Sequence, residues 1–572
     1  MDKFLFGVHL HQPVDNLKIA IDKAVEKCYA PLFETFSKYP EFKLNLHCSG
    51  WLFQKLKDDY NEVFENIKKS NIEFFSGGFY EPILAIIPRE DRIVQITKLN
   101  TFIYDNFRVK PKGLWLTERV WSDDIISEIV DTNIEYMIID DFHLYSAGIK
   151  TIKGSYITEN NGKKIKLFPI SKKLRYSIPF LDVDEVIKII ENEAFALLFD
   201  DGEKFGLWPQ TYKLVYEDKW LEKFIESVLE KTIHFNQISS NPQGVVYIPE
   251  VSYPEMQEWC KNLDNTNQIA VFKNFFSKYK ESNHLHKRML NLSSIKNESL
   301  YKLQTNDVFW HGVFGGLYLP NLRDNAYRYL IECEEYFEDR FQIDDIDLDG
   351  KDEIKIKNDT FIVIFNSNGE LIEFDDIKNR FNFLNTLKRR KEKYHFEIQN
   401  KVDKKVATIH EISLDLGNLK SELFFDRYFR YSFIDHLVKE INIETFKQDS
   451  FDDYFNKSLI QNGLIFENNQ IKKTIHVDND IEFEIINKTE YKYALEFNFH
   501  FAHYDELEIN QKYIYDSYTN RKIIFDFKSE EMLYFYVNTI SRDEKGFNKT
   551  IQCISLLFLF ETKTIRGRVC LK

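Results

Sequence analysis

The 572 residues are too many for one hydrophobic core, so two or three domains are expected. With 43% hydrophobic and 29% charged residues the composition is that of a soluble globular chain. The 76 basic against 91 acidic side chains leave a net charge of −15, which excludes a phosphate backbone, and hence nucleic acid, as the main partner. Six scattered cysteines with no C-x-x-C pair, and no apolar run near ~18 residues, read as reduced thiols in a cytoplasmic protein without a membrane segment; the oligomeric state stays open, a homo-oligomer included.

Up to about residue 262 short apolar strands alternate with helical periods. The strands are Phe4–Leu10, Lys43–Cys48, Ile72–Ser76, Gly113–Leu116, Tyr136–Ile139, Ala194–Phe199 and Val245–Ile248. The helices between them are a stretch carrying Ile19, Ile21, Val25, Cys28, Leu32 and Phe36, then Leu52–Lys69, Glu90–Phe107, Asp123–Thr132, Asp184–Asn192 and Tyr212–Glu230. Seven strands in series, alternating with helices, predict parallel strands with helices outside. No Gly-rich phosphate loop supports a doubly wound sheet, so an incomplete seven-unit (β/α) barrel over residues 1–262 is the expected α/β architecture. Residues 263–345 read as a helical extension, for example Asn267–Lys280 and Asn325–Phe337. Residues 346–572 carry alternating strands (Glu353–Ile356, Thr360–Ile364, Ile481–Ile486, Ala494–Phe501, Lys522–Phe527, Cys553–Phe560), a β-sandwich pattern. At the join, Asp345-x-Asp347-x-Asp349-Gly350 repeats the first half of a calcium loop, but position twelve is Ile356, with Glu353 as a substitute in a shorter loop; bound calcium and a solvated acidic turn are both open readings.

The polar clusters that need a chemical explanation follow predicted strands, where a parallel barrel assembles its site. His9-Leu10-His11-Gln12-Pro13 ends the first strand, and residues two apart face the same way. Gly77-Gly78-Phe79-Tyr80-Glu81-Pro82 is a tight turn aiming Glu81 inward. In Trp115-Leu116-Thr117-Glu118-Arg119-Val120-Trp121 a carboxylate stands between two indoles, with an arginine to keep it ionised; the bland alternative is a surface Glu–Arg pair. Asp200-Asp201-Gly202-Glu203-Lys204 crowds three acids, which pushes at least one carboxyl pKa upward, and Trp208 follows; the alternative is an acid-rich helix start. Asp140-Asp141-Phe142-His143 and Asn306-Asp307-Val308-Phe309-Trp310-His311 complete the set, with His143 and His311 read equally well as structural. Two carboxylates on different strand ends, flanked by tryptophans, are what glycosidic cleavage requires. A metal-dependent deacetylase or mannosidase, with the H-x-H pair and Asp140-Asp141 on zinc, is a distant alternative, and a non-catalytic glucan-binding module another.

The stretches HLHQP (9–13), GGFYEP (77–82), WLTERVW (115–121), DDGEKFGLWP (200–209), VYIPEVSYPEMQEW (246–259) and NDVFWHGVFGGLYLP (306–320) resemble glycoside hydrolase family 57, the 4-α-glucanotransferases and α-amylases; in the β-rich region ATIHEI (407–412) is the clearest match. The resemblance implies a seven-unit incomplete barrel with helical additions and a C-terminal β-sandwich. It implies a retaining double displacement on α-1,4-glucans or maltooligosaccharides with no metal in the chemistry, Glu118 matching the nucleophile and Asp201 the acid/base, with the two carboxyls roughly 5–5.5 Å apart. His9, His11, Glu81, Trp115, Glu203, Trp208, Asp307 and Trp310 match residues lining the donor-sugar site. Phe199, where relatives usually carry histidine, and Gln210, where glycine is common, depart from the pattern and bear on acceptor-side contacts; the C-terminal module also looks shorter than in relatives.

Overall fold

The computed structural model describes residues 3–262, 268–396, 416–438, 443–449, 460–462, 464–543 and 546–572. Its N-terminal sheet comprises β1 (Phe4–Leu10), β2 (Leu44–Cys48), β3 (Ile72–Ser76), β4 (Gly113–Trp115), β5 (Tyr136–Asp140), β6 (Tyr156–Asn160), β7 (Lys163–Ile170) and β8 (Ala196–Asp201), in the order β6-β7-β5-β4-β3-β2-β1-β8. Every neighbouring pair is parallel except the β6–β7 hairpin. The sheet curls until Ser171, just past β7, donates its N–H to the Leu197 carbonyl of β8 at 2.9 Å, so seven parallel strands surround one axis.

Side chains alternate across this wall. On β1, Phe4, Phe6, Val8 and Leu10 point outward into the helix layer, where Phe6 meets Phe36 and Phe224 at ring separations of 6.0 and 5.7 Å. Leu5 points inward and joins Phe75, Trp115, Tyr136, Ile138, Phe168, Leu197 and Phe199 in a closed aromatic core, with Phe235 among them. Seven strands leave a narrow bore, and these rings fit because glycine lies opposite them. In register, Gly7 faces Phe199 and Gly113 faces Phe75. A Cβ at Gly7 would stand 2.3 Å from Phe199 Cδ2. The interior is therefore packed solid, and a pocket can open only above the C-terminal strand ends.

Two sequence expectations are corrected here. Val245–Ile248 is not a barrel strand: Val245 makes one isolated bridge with Ile157, and the segment runs on toward residue 253. The missing strand is β7, whose Lys163, Lys164 and Lys166 break the apolar pattern; Asn161-Gly162, at φ 51° and 78°, is the two-residue hairpin turn that marked it. The long helical predictions are also divided: Leu52–Lys69 is two helices, Gly50–Asp59 and Asn61–Lys69, and of Tyr212–Glu230 the α-helical part is Trp220–Val228.

Beyond the barrel lie the helices Lys280–Asn291, Glu298–Leu303 and Pro320–Glu334. The expected helix from Asn267 begins outside the described residues, and its described part is the short Asn274–Lys278; the one expected from Asn325 starts earlier, at Pro320, whose missing N–H suits a first helical turn. Among the described residues, the C-terminal region holds antiparallel sheets of five, four and eight strands sharing one apolar core through Phe361, Phe497 and Phe525. The matched piece ATIHEI lies outside the described residues. A buried ionic cluster welds the helical region to the five-stranded sheet: Arg288 pairs with Glu373 at 2.8 Å and Glu334 at 2.6 Å, and Lys355 with Glu334 at 2.7 Å.

Gly7→Ala should destabilise the chain by about 1–3 kcal/mol, because Phe199 has no room to retreat in the filled bore; denaturant unfolding of the variant beside the parent checks this.

Candidate active site

A cleft of about 380 Å³ opens at the C-terminal strand ends, lined among others by His9, His11, Glu118, Asp201, Glu203, Asp307 and Trp310. Glu118 and Asp201, 83 positions apart in sequence, face this single cavity.

Glu118 follows β4 in a short turn, Thr117–Arg119, and adopts a left-handed backbone at φ 49°; Arg119 follows at φ 47°, and Glu81 across the site lies at φ 53°. Non-glycine residues there cost on the order of 1 kcal/mol each, so the surroundings must hold them. They do. Ser252 Oγ donates to the Glu118 carbonyl (2.6 Å), His143 Nε2 sits 2.9 Å from the Arg119 carbonyl, and Asn306 Nδ2 donates to the Glu81 carbonyl (2.9 Å). The Glu118 carboxylate accepts the Tyr253 hydroxyl at 2.8 Å, and the Arg119 guanidinium lies over the Tyr253 and Trp115 rings at 4.2 and 5.3 Å. Burial raises the Glu118 pKa; Arg119 and Tyr253 pull it back. Arg119 thus favours the ionised carboxylate, as the sequence led one to expect, but does not overcome burial, and the net shift is upward.

Asp201 ends β8. Burial first, and then the negative charge of Asp200, push its carboxyl up to about 8, so it carries a proton at neutral pH. Asp200 goes the other way: although burial acts to raise it, Lys204 Nζ at 2.8 Å and the Arg175 guanidinium hold it well below the usual carboxylate range. Adjacent acids therefore hold opposite protonation states.

The floor is a set of imidazoles. His9 stacks on Trp115 at 4.4 Å, and its Nδ1 lies 2.7 Å from Nδ1 of His47, so the pair shares one proton. Burial keeps both histidines well below their ordinary pKa. Glu81, accepting from Thr117 Oγ1 at 3.1 Å, is driven by burial to about 8 and is neutral beside them. His11 differs: burial lowers it, but Asp307, 3.1 Å away, overcomes this and lifts it to about 9, making it a cation. Glu203 accepts from Tyr29 and from the His11 backbone N–H, and burial raises it.

Not every sequence candidate reaches the cleft. Trp115 is 1% exposed and serves as the shelf under His9; Glu81 lies beneath the lining; Trp208 packs on Phe180 and Val313. Trp310 does line it, its Nε1 donating to Asn306 Oδ1 at 3.0 Å. His143 and His311 are structural: His311 meets the Gly315 carbonyl and the Tyr394 hydroxyl, both at 2.9 Å. Sequence reasoning gave no site role to His47, Arg175, Ser252 or Tyr253. The last two stand in the stretch 246–259, whose unexplained run of polar and aromatic residues was the available signal.

Three residue models cover the chain in series: glycosyl hydrolase family 57 over residues 5–249, the α-amylase/4-α-glucanotransferase middle domain over 270–337, and the C-terminal domain of the same name over 345–571. The sequence is 36% identical to alpha-amylase 1 of Dictyoglomus thermophilum, covering 98% of this chain and 96% of that one, and 32% identical to the 4-alpha-glucanotransferase of Thermococcus litoralis, covering 97% of each. The chain belongs to glycosyl hydrolase family 57. The crystal structure of the T. litoralis 4-alpha-glucanotransferase superposes with a TM-score of 0.89 at 29% identity, over 100% of this chain and 99% of that one.

The two departures from the family 57 pattern are placed away from the cleft. Phe199 is fully buried under Trp115, at 5.3 Å, inside the barrel; Gln210 is exposed at φ 66°, a conformation that glycine adopts without strain. The zinc set suggested by spacing does not assemble either, since Asp140 is held by Arg175 at 2.9 Å and Asp141 by the Lys172 N–H. Among the described residues, two groups bring three potential ligand atoms within 4.8 Å of one another: His9, His47 and Glu81, and, at the predicted calcium loop, Asp345, Asp347 and Glu353. In that loop Asp349 gives its backbone N–H to Asp345 Oδ1 (2.9 Å), and its carboxylate turns to the Lys351 N–H (3.1 Å).

Because Asp201 is protonated in the fold and ionised in the unfolded chain between its ordinary pKa and about 8, it costs stability increasingly as pH rises through that window. Asp201→Asn has no such cost. Urea unfolding should show the variant gaining on the parent steadily from pH 5 to pH 8 and no further above it.

Proposed function

We propose that this family 57 chain is a retaining α-1,4-glucan enzyme that moves maltooligosaccharide units between glucans as a 4-α-glucanotransferase, and works in the cytoplasm. The observation that carries the reading is the unequal pair in one cleft: burial raises both carboxyls, but Asp200 drives Asp201 further up, to about 8, while an arginine and a tyrosine hydroxyl pull Glu118 back toward its charged form. The Asp201 O–H protonates the glycosidic oxygen as the Glu118 carboxylate attacks C1 from the opposite face; the C1–O bond breaks and a glycosyl ester forms on Glu118. Asp201, now ionised, takes the proton of an incoming sugar hydroxyl, whose oxygen attacks C1 and frees Glu118. Two inversions give net retention. The His11 cation, Glu203 and Asp307 line the same cavity and offer hydrogen bonds to sugar hydroxyls, and Trp310 offers a ring face.

Relatives named alpha-amylase and relatives named 4-alpha-glucanotransferase match over nearly the whole chain at similar identity, which favours hydrolysis as the second reading, with water in place of the acceptor. Incubation with a single maltooligosaccharide decides between them. Transfer yields products both longer and shorter than the input; hydrolysis yields shorter ones only, with new reducing ends. Glu118→Gln and Asp201→Asn should each lower either rate at least about a hundredfold. The parent's kcat/KM should fall on the alkaline side with a midpoint near pH 8, where Asp201 loses its proton.

A further inference from the structure

The cleft that holds the carboxyl pair is not lined by the barrel alone. Phe314, in the loop after Trp310, is 40% exposed although Val313 and Leu317 on either side are 0% and 1% exposed, and it lines the cavity. Lining the cavity with it are Asp543 and Asn548, which belong to the hairpin of the strands Glu531–Asp543 and Gly546–Phe560, part of the C-terminal four-stranded sheet. The hairpin is fixed there by a buried polar junction. Gln552 donates to the Tyr318 carbonyl (2.9 Å) and accepts from Arg323 Nη2 (2.7 Å), while Arg323 also donates to the Leu317 carbonyl and to Asn385 Oδ1 (2.6 Å). Arg323 is 4% exposed and Gln552 fully buried, so one arginine sets the Phe314 loop and the hairpin in one frame.

An exposed ring with a carboxylate and an amide nearby is the equipment of a sugar subsite: an apolar face for a pyranose and acceptors and donors for its hydroxyls. We propose that Phe314, Asp543 and Asn548 form a substrate subsite remote from the cleaved bond, so that the C-terminal module sets preference for chain length. The inference rests on the glucan reading above. A short oligosaccharide occupies the positions around Glu118 and Asp201, and only a longer one reaches the hairpin.

The test compares kcat/KM for maltoheptaose with that for maltotriose in the full-length chain and in Asp543→Asn, Asn548→Ala and Phe314→Ala. The ratio of heptaose to triose should fall about fivefold in each, the effect of one lost sugar contact. A merely structural role lowers both values together and leaves the ratio intact. Ratios within twofold of the parent in all three variants overturn the proposal, and because the variants lie on two separate segments, one that fails to fold leaves the others to decide. A parent inactive on both sugars would instead refute the glucan reading itself.

Discussion

The site depends on one electrostatic constraint: several carboxyl groups lie in and just beneath a desolvated cleft with too few cations to neutralise them. Glu81, Glu118, Asp201, Glu203 and Asp307 crowd together, and the compensating charges among them are Arg119 and the His11 that Asp307 itself creates. Like charges at short range in low dielectric cannot all ionise. The outcome is a sorted set, with Glu81 and Asp201 protonated at neutral pH and Asp200 firmly charged between Lys204 and Arg175. Acid and base roles are distributed by placement, not by residue type.

That sorting needs exact side-chain directions, and the backbone supplies them at a cost. Glu81, Glu118 and Arg119 take left-handed conformations that ordinary residues avoid. Each is held through its own carbonyl by a partner from elsewhere in the chain, Asn306, Ser252 and His143 respectively. The segment carrying Ser252 and Tyr253 runs on from the bridge with β6 and reaches the Glu118 turn. The solid aromatic bore beneath, with Gly7 and Gly113 making room for rings, gives these turns a rigid floor.

Much of this was legible in the sequence because strand ends carry periodic, local signals. His9, Glu118 and Asp201 could each be placed from the apolar run before it. What was not legible follows from burial and tertiary contact. β7 hid behind three lysines at its N-terminal end, and Val245–Ile248 looked like a strand although Val245 is 63% exposed. Trp208 was matched to a donor-sugar residue only through the family resemblance, and here Phe180 and Val313 pack against it. Tyr253 was invisible as a partner of Glu118 because the 135 positions between them leave no local trace.

The Arg323 junction ties the fates of two architectures together. Its donors reach the loop beside the cleft and, through Gln552 and Asn385, the β-rich half of the molecule. Leaving those donors buried without acceptors is expensive, so the sheets cannot come away while the cleft stays as it is. Heat or denaturant that loosens the C-terminal strands must also disturb the ground on which the sugar rests, and loss of turnover should accompany the first departure of that half rather than wait for the barrel to melt.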